Sequence, residues 1–400
     1  MEAIANWTEA FDDVVERIGG RFVRSEARER ARTYLQGLLS NIPRKNGWQM
    51  AEMLGDETPY GIQQFLYRAK WEADQVRDDL RRYVIEQLGD PESVLVVDET
   101  GFLKKGNRSV GVQVQYCGTV GKTTNCQVGV FLTYANRQGH TFLDRALYLP
   151  ESWTNERQRC RAAGVPDEVK FATKPELAQQ MLERAVEAGV PAQWVTADSV
   201  YGGNAKLCYW LESVDLGYVL AVSPKDTVLN PDWIPVRVSH LLNELPAQGW
   251  QRLSAGAGTK GQRWYDWYWL ALYDRDLVGW QRGLLIRRSL NDPTKLTPYV
   301  CFAPVSTPLT QLVSVAGSRW SVEQCFEGAK QEVGLDEYEV RSYQGWYRHI
   351  TLACLAHAFL TVLRTHGLDP VTDDNTPKKS IPTQPSSLAA FKVRRGLISP

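Results

Sequence analysis

The stretch VLVVDETGFLKKG, residues 94–106, constrains the fold of this chain more than any other. Val94 to Val97 form a continuous apolar run, and Asp98, Glu99 and Thr100 follow at once. A short apolar run bounded by a turn signal reads as a strand buried on both faces. Carboxylates at the end of such a strand cost desolvation energy unless they are paired or hold a cation. The plainer alternative is a strand that ends at the surface on solvated charges, as loops after strands commonly do.

The rest of the chain supplies a setting for that strand. With 400 residues, a core is easily built and more than one domain is expected. Lys plus Arg balance Asp plus Glu at 46 each, so no global basic field points to nucleic acid and any such binding must come from local patches. The opening MEAIANWTEAFDD has no basic segment followed by an apolar one, so no secretory leader is expected. No uninterrupted apolar run is long enough to span a bilayer. The seven cysteines are scattered without a CxxC pair, which argues against a zinc ribbon or disulfide framework and fits a reducing cytoplasm. His349 and His357 lie among apolar residues, where core or capping roles are favoured over metal ligation.

Residues 1 to about 90 read as helical. Arg21, Arg24, Arg28, Arg30 and Arg32 form the densest basic cluster there, and a solvated helix face is its plainer reading. NGWQMAEMLGDETPYGIQQFLYRAKW (46–71) suggests two short helices around a turn at Gly55, a weak helix-turn-helix signal. SVGVQVQYCGTVG, CQVGVFLTYANRQG and HTFLDRALYLP then alternate with period two, as strands of an antiparallel meander do. A helix over 176–191, a strand ending on Asp198, a second helix and the strand YVLAVS follow. This order implies an α/β fold, a mixed sheet covered by helices. Residues 225–312 are rich in Trp and alternate again, which predicts a β-rich insertion. Its aromatics are ordinarily core or cross-strand pairs, and stacking on an unpaired base is the functional alternative, with Trp264 and Trp267 as candidates. SRWSVEQCFEGAKQEVG (318–334) reads as a helix stopping at Gly334, and WYRHITLACLAHAFLTVLR (346–364) as a buried one.

Asp98 and Asp198 each end a predicted strand, and Glu323 lies on a predicted helix. Three such carboxylates could converge over one edge of a sheet. Paired Mg²⁺ ions on oxygen ligands would neutralise them and, about 4 Å apart, clamp an in-line phosphoryl displacement. Arg319, Glu323 and Lys330 are spaced by four and seven, which puts them on one helix face provided the helix includes Arg319. Spacing alone equally allows surface salt bridges and does not separate Glu323 from Glu327.

VVDETGFLKKG, TADSVYGG and RWSVEQCFEGAKQEVGLDEYEVRSYQGWYRHITL together resemble bacterial insertion-sequence transposases of the DDE superfamily. KNGWQMAE, CGTVGKTTNCQVGVFL and TKPELAQQM extend the resemblance over residues 10 to 365 or so. It implies an RNase H-like core with Asp98, Asp198 and Glu323 as catalytic and metal-binding acids, using two Mg²⁺ ions or Mn²⁺ in their place. Arg319 and Lys330 match the basic members of a Tyr-Arg-Glu-Lys signature, whose tyrosine would fall near Ala316, a residue without a hydroxyl. Arg319, Lys330, Lys104 and Lys105 are the expected contacts to DNA phosphates, and Glu99 is expected to be structural.

The implied organisation is a helical DNA-binding domain (1–90), an RNase H-like catalytic core (91–224), a β-rich insertion (225–312), the last core helices (313–366) and a flexible basic tail (367–400). The implied activity is metal-dependent cleavage at transposon ends, followed by transfer of the 3′ ends into target DNA. The expected partners are terminal-repeat and target DNA and a second copy of the chain on DNA ends, with no membrane. The expected setting is the bacterial cytoplasm, at the nucleoid. One alternative is a domesticated or inactive derivative that only binds DNA. Another is a phosphatase or hydrolase with Asp98 as nucleophile, although such enzymes commonly carry a second acid two residues on, where Thr100 stands.

Overall fold

The computed structural model describes residues 2–258 and 261–367, with side chains from residue 7. The predicted basic tail lies outside the described residues from position 368 onward. The chain opens on five helices, α1 (Glu2–Gly19), α2 (Ser25–Leu39), α3 (Gly47–Met53), α4 (Tyr60–Tyr67) and α5 (Ala73–Leu88). Their buried positions recur at helical spacing, as in Tyr34, Leu35 and Leu38 or Val76, Leu80 and Val84. Asn46 caps α3 by accepting from the Gln49 N–H at 3.0 Å. The arginine cluster is largely spent within this region: Arg21 pairs with Asp79, Arg30 with Asp56 and Arg32 with Asp12. Arg28 donates to the Gly19 carbonyl.

Next come β1 (Val94–Leu103), β2 (Gln113–Cys117), β3 (Lys122–Ala135) and β4 (His140–Tyr148). The short helices α6 (Glu151–Thr154) and α7 (Arg157–Ala162) lead to α8 (Lys174–Glu187), β5 (Trp194–Ala197), α9 (Ser199–Gly202), α10 (Ala205–Ser213) and β6 (Gly217–Ala221). Thr173 and Glu176 close a reciprocal cap at the start of α8. β3 pairs antiparallel with both β1 and β4, and β1, β5 and β6 run parallel to one another. The order β4-β3-β1-β5-β6, three antiparallel strands followed by two parallel ones reached through helices, is that of an RNase H-like sheet.

The Trp-rich segment holds the hairpin β7 (Thr227–Leu229) and β8 (Pro235–Arg237), then α11 (Val238–Asn243). Four long strands follow, β9 (Gln251–Gly258), β10 (Gly261–Ala271), β11 (Trp280–Arg288) and β12 (Leu296–Pro304). These four do not form a sheet of their own. β12 pairs antiparallel with β6, so the main sheet runs on through β12, β11 and β10 to β9 and reaches 10 strands. The chain ends on α12 (Leu309–Ser318), α13 (Trp320–Val333) and α14 (Tyr343–Gly367).

α14 is the central buried helix, packed against β4 on one side and the N-terminal helices on the other. Arg348 ties the two together by donating to the carbonyls of Leu66, Ala69 and Trp71. His349 sits between Tyr34 and the Gly334 carbonyl, and His357 bonds Thr141, so both histidines are core residues. Among the described residues no helix is long and apolar enough to cross a membrane.

Candidate active site

Strand register brings the first two acids together. The parallel pairing of β1 and β5 closes on Val97↔Ala197, so Asp98 and Asp198 are the next residue on each strand. Beyond that point the strands differ. β5 ends, and Asp198 turns the chain into α9 by accepting from the Val200 N–H at 2.8 Å. β1 does not end at Asp98, contrary to the expectation from sequence. It runs on to Leu103, because β3 stays paired with it from Asp98↔Phe131 to Leu103↔Cys126. Gly202 lets α9 lie against the end of β6, since a Cβ there would meet the Ala221 carbonyl oxygen at 2.0 Å.

Asp98 is half-buried, with its side chain 15% exposed. Its Oδ1 accepts from the Glu99 N–H at 2.8 Å, and its Oδ2 accepts from Arg319 Nη1 at 3.2 Å. Burial pushes the Asp98 carboxyl up to about 7, Arg319 pulls it down and the charge of Asp198 pushes it up further. Burial also raises Asp198, with the charge of Glu99 acting in the same direction. Both are carboxylates whose burial disfavours the charged form.

Glu99 has a different environment. Strand alternation sends its side chain to the face opposite Asp98. There Lys174 Nζ meets its Oε1 at 2.5 Å and the Tyr201 hydroxyl donates to its Oε2 at 2.6 Å. Tyr201 is fully buried. Both of its oxygens are thus engaged by protein, in keeping with a structural acid. Sequence reading missed Lys174 and Tyr201 as its partners, although both lie within stretches that carry the family resemblance, TKPELAQQM and TADSVYGG.

The helix expected to run through Arg319 is two helices. Arg319 is the junction between α12 and α13, with helical backbone angles of φ −56 and ψ −29. Its side chain therefore keeps the face shared with Glu323 and Lys330. Arg319 Nη2 lies 3.8 Å from Glu323 Oε1, and the Glu323 side chain is 46% exposed. Arg319 thus stands between Asp98 and Glu323. Among the described residues no three His, Cys, Asp or Glu side chains gather closely enough to hold a metal ion together. The expected convergence of all three acids is met for the two aspartates, while Glu323 is held at the guanidinium. Gly317 lets α12 press onto β9, for a Cβ would meet the Ala255 carbonyl oxygen at 2.1 Å, and Arg263 donates to the carbonyl of Gly317 at 3.0 Å. Ala316, where the signature tyrosine would fall, is buried in α12.

Lys330 Nζ donates to the hydroxyls of Thr100 at 2.8 Å and Thr119 at 3.2 Å, which holds it over β1 beyond Asp98. Burial lowers its pKa. Lys104 is turned onto the protein: its ammonium is 3.6 Å from the centre of the Tyr338 ring and donates to the Tyr338 carbonyl. Burial brings it down to about 8. Lys105 is exposed. The two tryptophans separate as well. Trp264 is 51% exposed. Trp267 is fully buried and donates its indole N–H to the Leu253 carbonyl at 3.2 Å. The expectation that Trp267 stacks on a base is corrected accordingly: it is a core residue of the extended sheet.

Comparison with known proteins agrees with this geometry. A family model described as "DDE superfamily endonuclease" matches residues 17–241, more than half of the chain. The "Probable transposase for insertion sequence element IS701" of Microchaete diplosiphon is 28% identical over 316 residues, spanning 77% of this chain and 75% of that protein. The NurA nuclease from Sulfolobus solfataricus overlaps 64% of this chain and 85% of its own at 9% identity, with a TM-score of 0.27. An RNase H-like sheet with paired aspartates at its parallel strand ends, together with the family match, assigns the chain to the DDE superfamily endonucleases, enzymes of the insertion-sequence transposase type.

Proposed function

We propose that this protein is a transposase that cuts DNA at the ends of its own element and joins the freed 3′ ends to target DNA. The observation that carries this reading is the adjacency of Asp98 and Asp198 beyond the Val97↔Ala197 pair, with Glu323 next to Arg319 beside them. The donor chemistry fits hard divalent cations, since every candidate ligand is a carboxylate oxygen and burial, with neighbouring acid charge, raises both aspartates. Asp98, Asp198 and Glu323 would hold two such ions, Mg²⁺ or Mn²⁺ in its place. When bound, the metals would activate water and then the 3′-hydroxyl as nucleophiles and neutralise the scissile phosphate.

The remaining roles belong to the chain's own groups. Lys105, Lys330 and Arg319 would contact DNA phosphates and contribute a salt-dependent part of the affinity. Lys104 would act beside them through its hold on Tyr338. Trp264 would supply a stacking surface for an unpaired base. The helices of residues 1–90 would bind the terminal repeats, residues 91–224 and 313–366 would form the catalytic core, and 225–312 the insertion. Two copies would pair the element's ends, acting at the nucleoid in the cytoplasm.

The test is cleavage of a labelled duplex carrying the element's own end, with Mg²⁺, with EDTA, and with Asp198→Ala. Metal-dependent nicking at the end that disappears in the variant is expected. Asp98→Ala and Glu323→Ala should abolish cleavage equally while leaving end binding largely intact. Specific binding without nicking in Mg²⁺ or Mn²⁺ would instead indicate a derivative that only binds DNA, with Ala316 in place of the signature tyrosine as the first position to restore.

A further inference from the structure

We propose that Arg319 is a resident counter-ion of the acid cluster, which a divalent cation must displace before Glu323 can join Asp98 and Asp198. The inference rests on the metal-site reading above and concerns what the site does before metal arrives. A single guanidinium spans the first and third acids, 3.2 Å from Asp98 Oδ2 and 3.8 Å from Glu323 Oε1. Asp98 Oδ1 accepts from the Glu99 N–H and Oδ2 from Arg319, so a cation that approaches Oδ2 meets the guanidinium there. A guanidinium and a divalent ion at one carboxylate oxygen repel each other, so the two compete for it.

The parts that would have to move are those free to do so. Asp98 is fixed in the middle of a paired strand and Asp198 is fixed by the cap it makes for α9. Arg319 stands at the joint between two helices with its side chain 33% exposed, and Glu323 is more exposed still. Displacement would swing Arg319 off Asp98, on the face where Lys330 is held at Thr100, and leave Glu323 without its cation. Metal loading and phosphate contact by Arg319 are then linked, and by reciprocity DNA bound to Arg319 should tighten the metal.

The experiment is calorimetric titration of the DNA-free, full-length protein with Mn²⁺, comparing wild type with Arg319→Gln, Lys174→Gln and Asp98→Asn. Lys174→Gln removes one positive charge that touches Glu99 rather than Asp98, and so reports the general field. Arg319→Gln is expected to bind Mn²⁺ at least about 5-fold more tightly than wild type. Lys174→Gln should change affinity far less, and Asp98→Asn should lose binding. Equal or weaker binding by Arg319→Gln, or an equal gain in Lys174→Gln, with binding still lost in Asp98→Asn, would overturn the counter-ion role and leave the metal site standing. Binding absent from wild type and Arg319→Gln, or undiminished in Asp98→Asn, would overturn both.

Discussion

The buried hydroxyl of Tyr201 donates to Glu99 at 2.6 Å, and so joins the residue after one strand aspartate to the helical turn that follows the other. Glu99 also holds Lys174, at the head of α8. One carboxylate thereby ties β1, α8 and α9 to one another, while the spacing of Asp98 and Asp198 is set by the register of β1 and β5. Tyr201→Phe removes a hydrogen bond to a charged group, worth about 1.5–3 kcal/mol. The unfolding midpoint in urea should fall by the corresponding amount, with Mn²⁺ affinity little changed. An unchanged midpoint would show that Glu99 does not brace the two strands.

The two candidate tryptophans should part company on substitution. Trp267→Ala empties a fully buried site and should destabilise the protein by about 3–5 kcal/mol. Trp264→Ala should leave stability within about 0.5 kcal/mol. If it stacks on an unpaired base, it should cost about 1–3 kcal/mol of DNA affinity. Urea denaturation and binding to an element end with an unpaired base separate the two effects.

Much of this was readable in the sequence, and the failures have physical causes. The run Val94–Val97 identified the buried strand, because it is short, rich in β-branched valine and set off by Asp90-Pro91. Its continuation through Asp98, Glu99 and Thr100 was not readable, since those polar residues are held in the strand by pairing with β3, some thirty positions along the chain. Alternation in RWYDWYWLALYD identified β10, yet not which tryptophan faces inward, because that depends on β9 and the register shift between Gln262 and Trp264. The break at Arg319 left no mark in SVAGSRWSVEQ, as its backbone stays helical. Nor could local pattern reveal that β12 would pair with β6.

Lys104 and Lys105 offer a sharper contrast than adjacent lysines usually do. Lys105→Ala should lower the slope of log affinity against log salt by about 0.9, the share of one phosphate contact. Lys104→Ala removes an ammonium packed on Tyr338 and should appear chiefly as a loss of about 1 kcal/mol in stability. Binding titrations at several salt concentrations, alongside denaturation, test both.

Acid should unfold this protein through its core histidines. Burial lowers His349 to about 4 and His357 to about 3. An unfolded histidine titrates near ~6.5. Below that pH the unfolded chain binds protons that the folded chain refuses, so stability is full above about 6.5 and falls as pH drops toward about 4. Each histidine contributes up to about 1.4 kcal/mol per pH unit over that window. Asp98, raised to about 7, acts in the opposite sense over this window, so the histidine share is the difference in slope between wild type and His357→Gln in urea midpoints from pH 8 to 4, and the variant should have the shallower decline.

The chain leaves the catalytic sheet at β6 and comes back on β12, the strand bonded directly beside it. Departure and return are neighbours, but the segment between them is held at a second place, where β9 meets α12 at Gly317 and Arg263 reaches the Gly317 carbonyl. The far strand of the extended sheet thus buttresses the helix that leads into Arg319 and Glu323, while the strand before Asp198 is held by its own pairing with β1 and β6. A change at the outer edge of the sheet is therefore felt at the guanidinium between the acids, through one glycine-sized contact rather than through the seam of β6 and β12.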